Sequence, residues 1–352
     1  MCMVEIDPDI KKARTLSSNY YTDSKMFDQI FSKFGSHWQY IGHISQFEDG
    51  SAKPVKIGNE QIIISKLADN FHCFSNVCTH RGMLLIDDED CKKTLVCPYH
   101  GRTFSLDGKF KKMPEFEKVE DFPTVEDDLS EFDINIWKNM IFTLINQTDE
   151  TCNWFEYVQD RMSFMDIENF TYDLSRERRY TIEANWILYV DNFLEGFHIP
   201  FVHKDLNKAL DYGQYETELF TGGVLQIGIA QDGVNSFELP EGHPDFGKNV
   251  AAYYWWLYPN LMLNFYPWGL SMNVINPISE NETEVRYYGF VSNEELLGQG
   301  AGADLDKVEL EDQFVVESCQ KGMMSSNYSS GRYSPTMERG LHHFHLMLTG
   351  GN

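Results

Sequence analysis

An α+β fold in two unequal parts is what this sequence predicts, from three observations. Its 352 residues are long for one hydrophobic core, so two domains are the natural expectation. Residues 39–148 are filled with short alternating segments separated by turn signals, as in a small antiparallel β domain inserted near the N-terminus. Residues 149–352 mix segments of helical period with long, aromatic-rich strand patterns, as in a larger domain with an antiparallel sheet. Residues 1–38 are expected to pack on that larger domain.

Composition narrows the function classes. The chain is 42% hydrophobic and has no low-complexity tract, which is ordinary for a folded protein. A formal charge of -25 argues against nucleic acid, whose binding rests on clustered Lys and Arg. For most of the surface that acidity reads as solubility. No apolar run approaches the roughly 20 residues of a membrane span. The opening MCMVEIDPDIKK lacks a signal-peptide core, so a cytoplasmic protein is expected. Seven cysteines, an odd number, do not read as a disulfide framework, and two of them sit beside histidines.

Residues 14–40 read as an extended entry and a short amphipathic helix. Met26, Ile30 and Phe34 recur at helical spacing, with Thr22 or Ser24 as the cap. From Trp38 the alternation of QYIGHISQ and QIIISKL takes over, and IFTLINQ closes the β domain before a QTDET linker. Inside this region lie CTHRG, residues 78–82, and CPYHG, residues 97–101. The pattern is C-x-H, sixteen residues, C-x-x-H. Two thiolates and two imidazoles from two loops make a four-ligand metal site. It suits a [2Fe-2S] cluster with Cys78 and Cys97 on one iron and His80 and His100 on the other. Neutral imidazoles in place of thiolates raise the potential of such a cluster. Gly82 and Gly101 let backbone amides approach the sulfurs, and Pro98 stiffens the second loop.

These boxes resemble the cluster-binding loops of the Rieske family, and the following GRTFSLDGKF resembles the return hairpin of Rieske domains in ring-hydroxylating oxygenases. Arg102 stands where that family often has Trp. The alternative is a structural Cys2His2 zinc site, which does not require these flanking residues. Cys73 and Cys91 read as ordinary buried or loop thiols. Between Arg81 and Lys118 basic and acidic residues nearly balance inside an otherwise acidic chain. Lys109, Lys111 and Lys112 therefore suggest a docking surface for an acidic electron donor, with a scattered solvated face as the alternative.

The second part opens with CNWFEYVQDRMSFMDIENF, read as helical, and a strand-like RRYTIEA. In NWILYVDNFLEGFHIPFVH, residues 185–203, a helix is expected from Trp186 to His198, ended by Pro200. Asp191, Glu195 and His198 then fall at i, i+4 and i+7 on one face. A loop after Pro200 returns His203 to the same point. Two histidines need one carboxylate to complete the facial triad of non-haem Fe(II), which leaves positions open for O2. The stretch is similar to the iron helix of the same oxygenase family, and that resemblance implies His198 and His203 as ligands. It places Glu195 where an acid links the iron site to a cluster histidine of the neighbouring subunit, with Asp191 as the other candidate.

LNKALDYGQYETELFTGGVLQIGIA and AYYWWLYPNLMLNFYPWGLSMNVINP read as strands of a larger sheet. Core packing claims most of their aromatics. Some are candidates for a pocket wall, where an aromatic box suits a quaternary ammonium group. In the family a helix covers such a sheet. Residues 305–322 read as a helix, and D-x4-E-x2-Q-x-G from Asp312 resembles the family's ligand box, which implies Asp312 as the third ligand. Glu309, Glu311 and Glu317 are the competing acids. Glu317 and Gln320 read as support for the fold or the channel. The spacing of His342, His343 and His345 suits structural or subunit contacts better than a triad.

The resemblance thus implies the α subunit of a Rieske non-haem iron oxygenase. It would hold a [2Fe-2S] cluster and a mononuclear Fe(II), with O2 as cosubstrate. Electrons would come from NAD(P)H through a flavin/iron-sulfur reductase or a ferredoxin, and the expected assembly is a head-to-tail homotrimer or a multiple of one. Local texture is nearer to members that hydroxylate or demethylate small quaternary amines. Dihydroxylation of an aromatic acid remains open, as does a non-catalytic Rieske electron carrier.

Overall fold

The computed structural model describes residues 6–87 and 92–350. Cys91 and the acidic residues 88–90 of the charge balance lie outside the described residues. The chain divides into two compact units: Phe34–Thr151, and Cys152–Asn352 together with Met1–Lys33. Among the described residues no helix is long and apolar enough to cross a membrane.

The smaller unit is antiparallel throughout. Gln39–His43, Met140–Leu144 and Asp133–Trp137 form one three-stranded sheet, and Ser51–Ile57, Glu60–Leu67 and Asn70–Ser75 form a second. Leu95–Val96, Thr103–Phe104 and Phe110–Lys112 make a short third sheet that carries the second metal loop. Apolar residues such as Ile63, Phe74, Leu95 and Phe104 pack with Cys78 and Cys97, so the loops are rooted in a core.

The larger unit is built on a seven-stranded antiparallel sheet. Its spatial order is Thr171–Ile182, Glu282–Val291, Gly269–Ser279, Leu261–Tyr266, Val250–Leu257, Gly223–Ile229 and Glu216–Phe220. Every residue of Val250–Leu257 and of Leu261–Tyr266 is buried, so these central strands are covered on both faces. On one face Trp256 packs edge-on against Phe344 of helix Arg339–Thr349, and Phe344 meets Trp186 of helix Trp186–Phe193. On the other, Tyr253 packs on Phe237 and hydrogen-bonds Asp245 at 2.9 Å.

Several local expectations change. Helix Ser24–Phe31 is capped by Asp23, whose side chain accepts from Met26 N, not by Thr22 or Ser24. LNKALDY is not a strand: Leu206–Ala209 is helical, Leu210 makes a lone bridge to Ala230, and the strand begins at Glu216. CNWFEYVQDRMSFMDIENF is helical only over Phe155–Arg161, with one further turn at Ile167–Asn169. The helix expected over 305–322 runs Leu305–Met323.

Candidate metal centres

The two cysteine–histidine boxes fold as near copies of each other. In each, the backbone N–H of the glycine donates to the cysteine carbonyl four residues back, Gly82 to Cys78 and Gly101 to Cys97, both at 3.0 Å. Each cysteine N–H donates just beyond that glycine, to Met83 O at 2.8 Å and to Arg102 O at 2.7 Å. Both glycines have φ of 73°, where a side chain costs roughly 1–2 kcal/mol. The boxes therefore need Gly for closure as well as for approach.

The donor set fits a cluster. Cys78 and Cys97 are buried, and the His80 and His100 rings meet edge-on with centroids 4.9 Å apart. His100 Nδ1 is buried without a hydrogen-bond partner, an orphan that a metal would satisfy. Burial pushes the Cys78 thiol up, and the neighbouring Cys97 adds to this. Metal binding takes the proton from such a thiol, because the metal supplies the compensating charge. Desolvation and the His100 ring hold His80 below its usual value, towards the neutral form a metal takes. A single tetrahedral zinc would hold all four donors within about 4 Å of one another. Among the described residues, these four do not form a group whose donors all lie within 4.8 Å of one another. The spread suits two metal atoms better than one.

Arg102, in the position where the family often has Trp, is 2% exposed and pairs with Asp127 at 2.7 Å. Its guanidinium lies 4.9 Å from the Phe110 ring centre, with Phe104 and Phe122 slightly farther. A cation over aromatic faces fills the aromatic site. Cys73 is a buried thiol pushed up to about 12 by burial, with the Thr143 hydroxyl against it, so it is no metal ligand in waiting.

The mononuclear site starts from helix Trp186–Phe193, capped by Asn185, whose side chain accepts from Ile187 N. The helix stops at Leu194, short of the expected His198. Pro200 does not end it. It lies in the first turn of the next short helix, Ile199–Val202, where its missing N–H costs nothing. Asp191, Glu195 and His198 consequently share no helical face. Asp191 turns away, accepting from Tyr21 OH at 2.8 Å and meeting His345 Nε2 at 2.9 Å. Glu195 meets His198 Nδ1 at 2.8 Å and accepts from His198 N at 3.0 Å.

Three donors then converge across the cleft. His198 Nε2 lies 3.0 Å from His203 Nε2, and Asp312 Oδ1 lies 3.0 Å from His203 Nε2 and 3.6 Å from His198 Nε2. Donors on adjacent vertices of an octahedron with bonds of about 2.1 Å sit about 3 Å apart, so the three fit one metal on one face. Each imidazole is oriented through its other nitrogen by a carboxylate: Glu195 for His198, and Glu311 for His203 Nδ1 at 2.8 Å. Burial works against a charged His203, but hydrogen bonding to Asp312 and Glu311 outweighs it and raises the ring's pKa. Asn192 Nδ2 donates to Asp312 Oδ1 at 2.6 Å.

The competing acids have other work. Glu309 accepts from Tyr189 OH at 2.6 Å and from Tyr287 OH. Glu317 accepts from Glu183 N at 3.1 Å, and Gln320 accepts from Asn185 N at 3.0 Å while donating to Tyr21 O at 3.1 Å. These bonds dock helix Leu305–Met323 against the start of the iron helix. His342 meets Asp7 O and His343 meets Phe220 O, both within the fold. A second acidic group, Glu216, Glu218 and Asp245, is answered by Arg161 and Lys248 and reads as an ion-pair network.

Above the three donors opens a cleft of about 700 Å3, counting space open to solvent. Tyr189, Phe193, Tyr215, Tyr254 and Tyr266 contribute aromatic walls, and Glu309 closes one side. Glu309 is half-buried and lines both this cleft and the adjoining one. Desolvation by its surroundings, then the Asp312 charge, push its carboxyl up to about 7. Glu309 and Glu311 were read in the sequence only as rivals to Asp312 for the metal, and Asn192 carried no signal as a site residue.

Cysteine–histidine loops of cluster type and a face of two histidines and one carboxylate define an iron-dependent oxidoreductase with two centres. The chain belongs to the family described as the ring hydroxylating alpha subunit (catalytic domain), whose pattern matches residues 167–349, more than half of the chain. Residues 37–123 match the Rieske [2Fe-2S] domain. The chain is 28% identical to a chloroplastic choline monooxygenase of Arabidopsis thaliana, over 98% of this chain and 85% of that protein. It is also 28% identical to a carnitine monooxygenase oxygenase subunit of Escherichia coli (strain K12), over 96% and 94%. A solved quaternary ammonium Rieske monooxygenase shares the fold, with a TM-score of 0.79 at 24% identity over 97% of this chain and 96% of that one. The protein is thus a Rieske-type oxygenase, with a [2Fe-2S] cluster, a mononuclear iron and O2 as cosubstrate. It needs a reductase or ferredoxin and a small-molecule substrate.

Proposed function

We propose that the protein hydroxylates or oxidatively demethylates a small quaternary ammonium compound. The observation that carries this reading is the cleft itself. Its walls are tyrosine and phenylalanine faces, it holds the Glu309 carboxyl, and no Lys or Arg is among its described lining residues. A quaternary nitrogen has no N–H to donate, so π faces and a nearby negative group are what recognise it. An aromatic acid would find no cation there for its carboxylate. The choline and carnitine activities of the relatives point the same way.

In this reading Cys78, His80, Cys97 and His100 hold the cluster, and His198, His203 and Asp312 hold the iron. Bound there, the iron supplies O2 activation with electrons delivered through the cluster. The protein's own groups do the rest. Glu195 and Glu311 fix the imidazoles, Asn192 orients Asp312, and the aromatic wall places a substrate C–H over the open face and excludes water. Glu195, in contact with an iron-site histidine, is assigned the link to a neighbouring subunit's cluster in a head-to-tail trimer. Asp191 meets Tyr21 and His345 instead of an iron-site histidine. Lys109, Lys111 and Lys112, all exposed around the second loop's hairpin, are assigned to reductase docking, although Lys109 already pairs with Asp128 at 3.3 Å.

Reductase-dependent O2 uptake with a panel of quaternary amines and aromatic acids tests the reading, alongside iron and acid-labile sulfide analysis. Uptake stimulated by quaternary amines, with iron in excess of the cluster's, is expected. Stimulation by aromatic acids alone would overturn it.

A further inference from the structure

The cavity face of the central sheet spends polar residues where a core would be apolar. Gln226, Tyr254, Asn264 and Ser271 lie directly opposite one another across four neighbouring strands, and all four line the cleft. Gln226 is 1% exposed and Asn264 5%. Buried polar atoms are ordinarily paired, yet Gln226 Oε1, Asn264 Oδ1 and the Tyr254 hydroxyl between them have no hydrogen-bond partner.

Which atom of each amide is left over follows from its neighbours. The Gln226 Nε2 group donates at 2.7 Å to Phe193 O, a backbone carbonyl that can only accept. Asn273 Nδ2 points to Glu309 Oε1 at 3.5 Å, and Glu309 also takes the hydroxyls of Tyr189 and Tyr287. That turns the Asn273 oxygen towards Asn264, whose Nδ2 donates to it at 3.3 Å. The atoms left free in both amides are therefore acceptors, and what satisfies them is a donor.

We propose that this polar row selects a quaternary ammonium alcohol over a quaternary ammonium carboxylate, with Gln226 and Asn264 accepting from the substrate hydroxyl and Glu309 facing its cationic end. The inference rests on reading the substrate as a quaternary ammonium compound. A carboxylate placed here would meet two amide acceptors for the single Tyr254 hydroxyl donor, whereas an alcohol can donate to an amide oxygen and accept from Tyr254, and no Lys or Arg is among the cleft's described lining residues to offset the mismatch. Arg176 and Arg178 line the adjoining cleft beyond Glu309, not this one, and their nearest carboxylates are Asp173 at 3.2 Å and Asp306 at 3.5 Å. A site built to hydrogen-bond a hydroxyl discriminates strongly against analogues without one.

Calorimetric binding to the iron-loaded protein, with choline, glycine betaine and tetramethylammonium as probes, tests this. Choline should bind about tenfold or more tightly than either of the others. Gln226→Met and Asn264→Leu should each bring choline down towards tetramethylammonium, with tetramethylammonium affinity unchanged as the control for an intact pocket. Glycine betaine binding as tightly as choline overturns the inference and leaves the quaternary ammonium reading standing. So does an unchanged ratio of choline to tetramethylammonium in both variants. Failure of all three probes to bind overturns both.

Discussion

At the cluster loops every donor lies within residues 78–100, and each loop is closed by its own backbone hydrogen bonds around a left-handed glycine. At the iron site His198 and His203 lie more than a hundred residues from Asp312, and each imidazole is aimed by a carboxylate outside the metal-binding set. The first site is local and repeats itself. The second exists only while helix Leu305–Met323 is docked on helix Trp186–Phe193, through Asn192–Asp312, Tyr189–Glu309 and Asn185–Gln320. A loop site needs little beyond its own turn geometry, whereas a site between helices depends on the stability of the whole unit.

The sharpest way to break this comparison is Asp312→Ala. It should remove the mononuclear iron and lower turnover more than 100-fold, while the cluster's visible spectrum stays intact. Loss of the cluster spectrum as well would show that the two sites are not separately built. Gln320→Leu is the next largest effect expected. It strips partners from Asn185 N and Tyr21 O without touching a ligand, so unfolding by urea should show a loss of about 1–3 kcal/mol. Iron affinity should fall with it and the cluster should not change; an unaltered iron affinity would contradict the docking argument.

The smallest effect is in pH. Glu309 ordinarily titrates near 4.5 and is pushed up to about 7 when folded, so between those values the folded chain keeps a proton that the unfolded chain has lost. Its contribution is fully present below about pH 4.5 and is lost as pH rises through about 7, on the order of 2 kcal/mol after allowing for its partial exposure. Urea midpoints of metal-free protein at about pH 5 and about pH 8 should therefore differ, and Glu309→Gln should flatten that difference. An equal slope in the variant would assign the pH dependence elsewhere.

The difference between the sites also explains what could be read in advance. CTHRG and CPYHG announce themselves because spacing, glycines and ligands all occur in one short run. His198, His203 and Asp312 were legible as donor types at family spacing. The acid beside them was harder. Treating residues 186–198 as one helix put Asp191 and Glu195 on a shared face, and the helix end at Leu194 sends them to different partners. Gln226 and Asn264 carried no signal, since an amide within an aromatic strand looks like a solvent-facing residue until the sheet is assembled.

The sequence by itself determined the two-part α+β organisation and the helix at residues 305–322, and it supplied the candidates for both donor sets. Each depends on short-range patterning, in loops closed by glycine or in periodic apolar faces. Only the tertiary structure decided which carboxylate serves which histidine, that Asp191 belongs to Tyr21 and His345, and that a row of amides crosses the sheet into the cleft. Those choices are made by strand register and helix docking. Both are long-range, because a side chain's partner is set by packing between segments far apart in the chain.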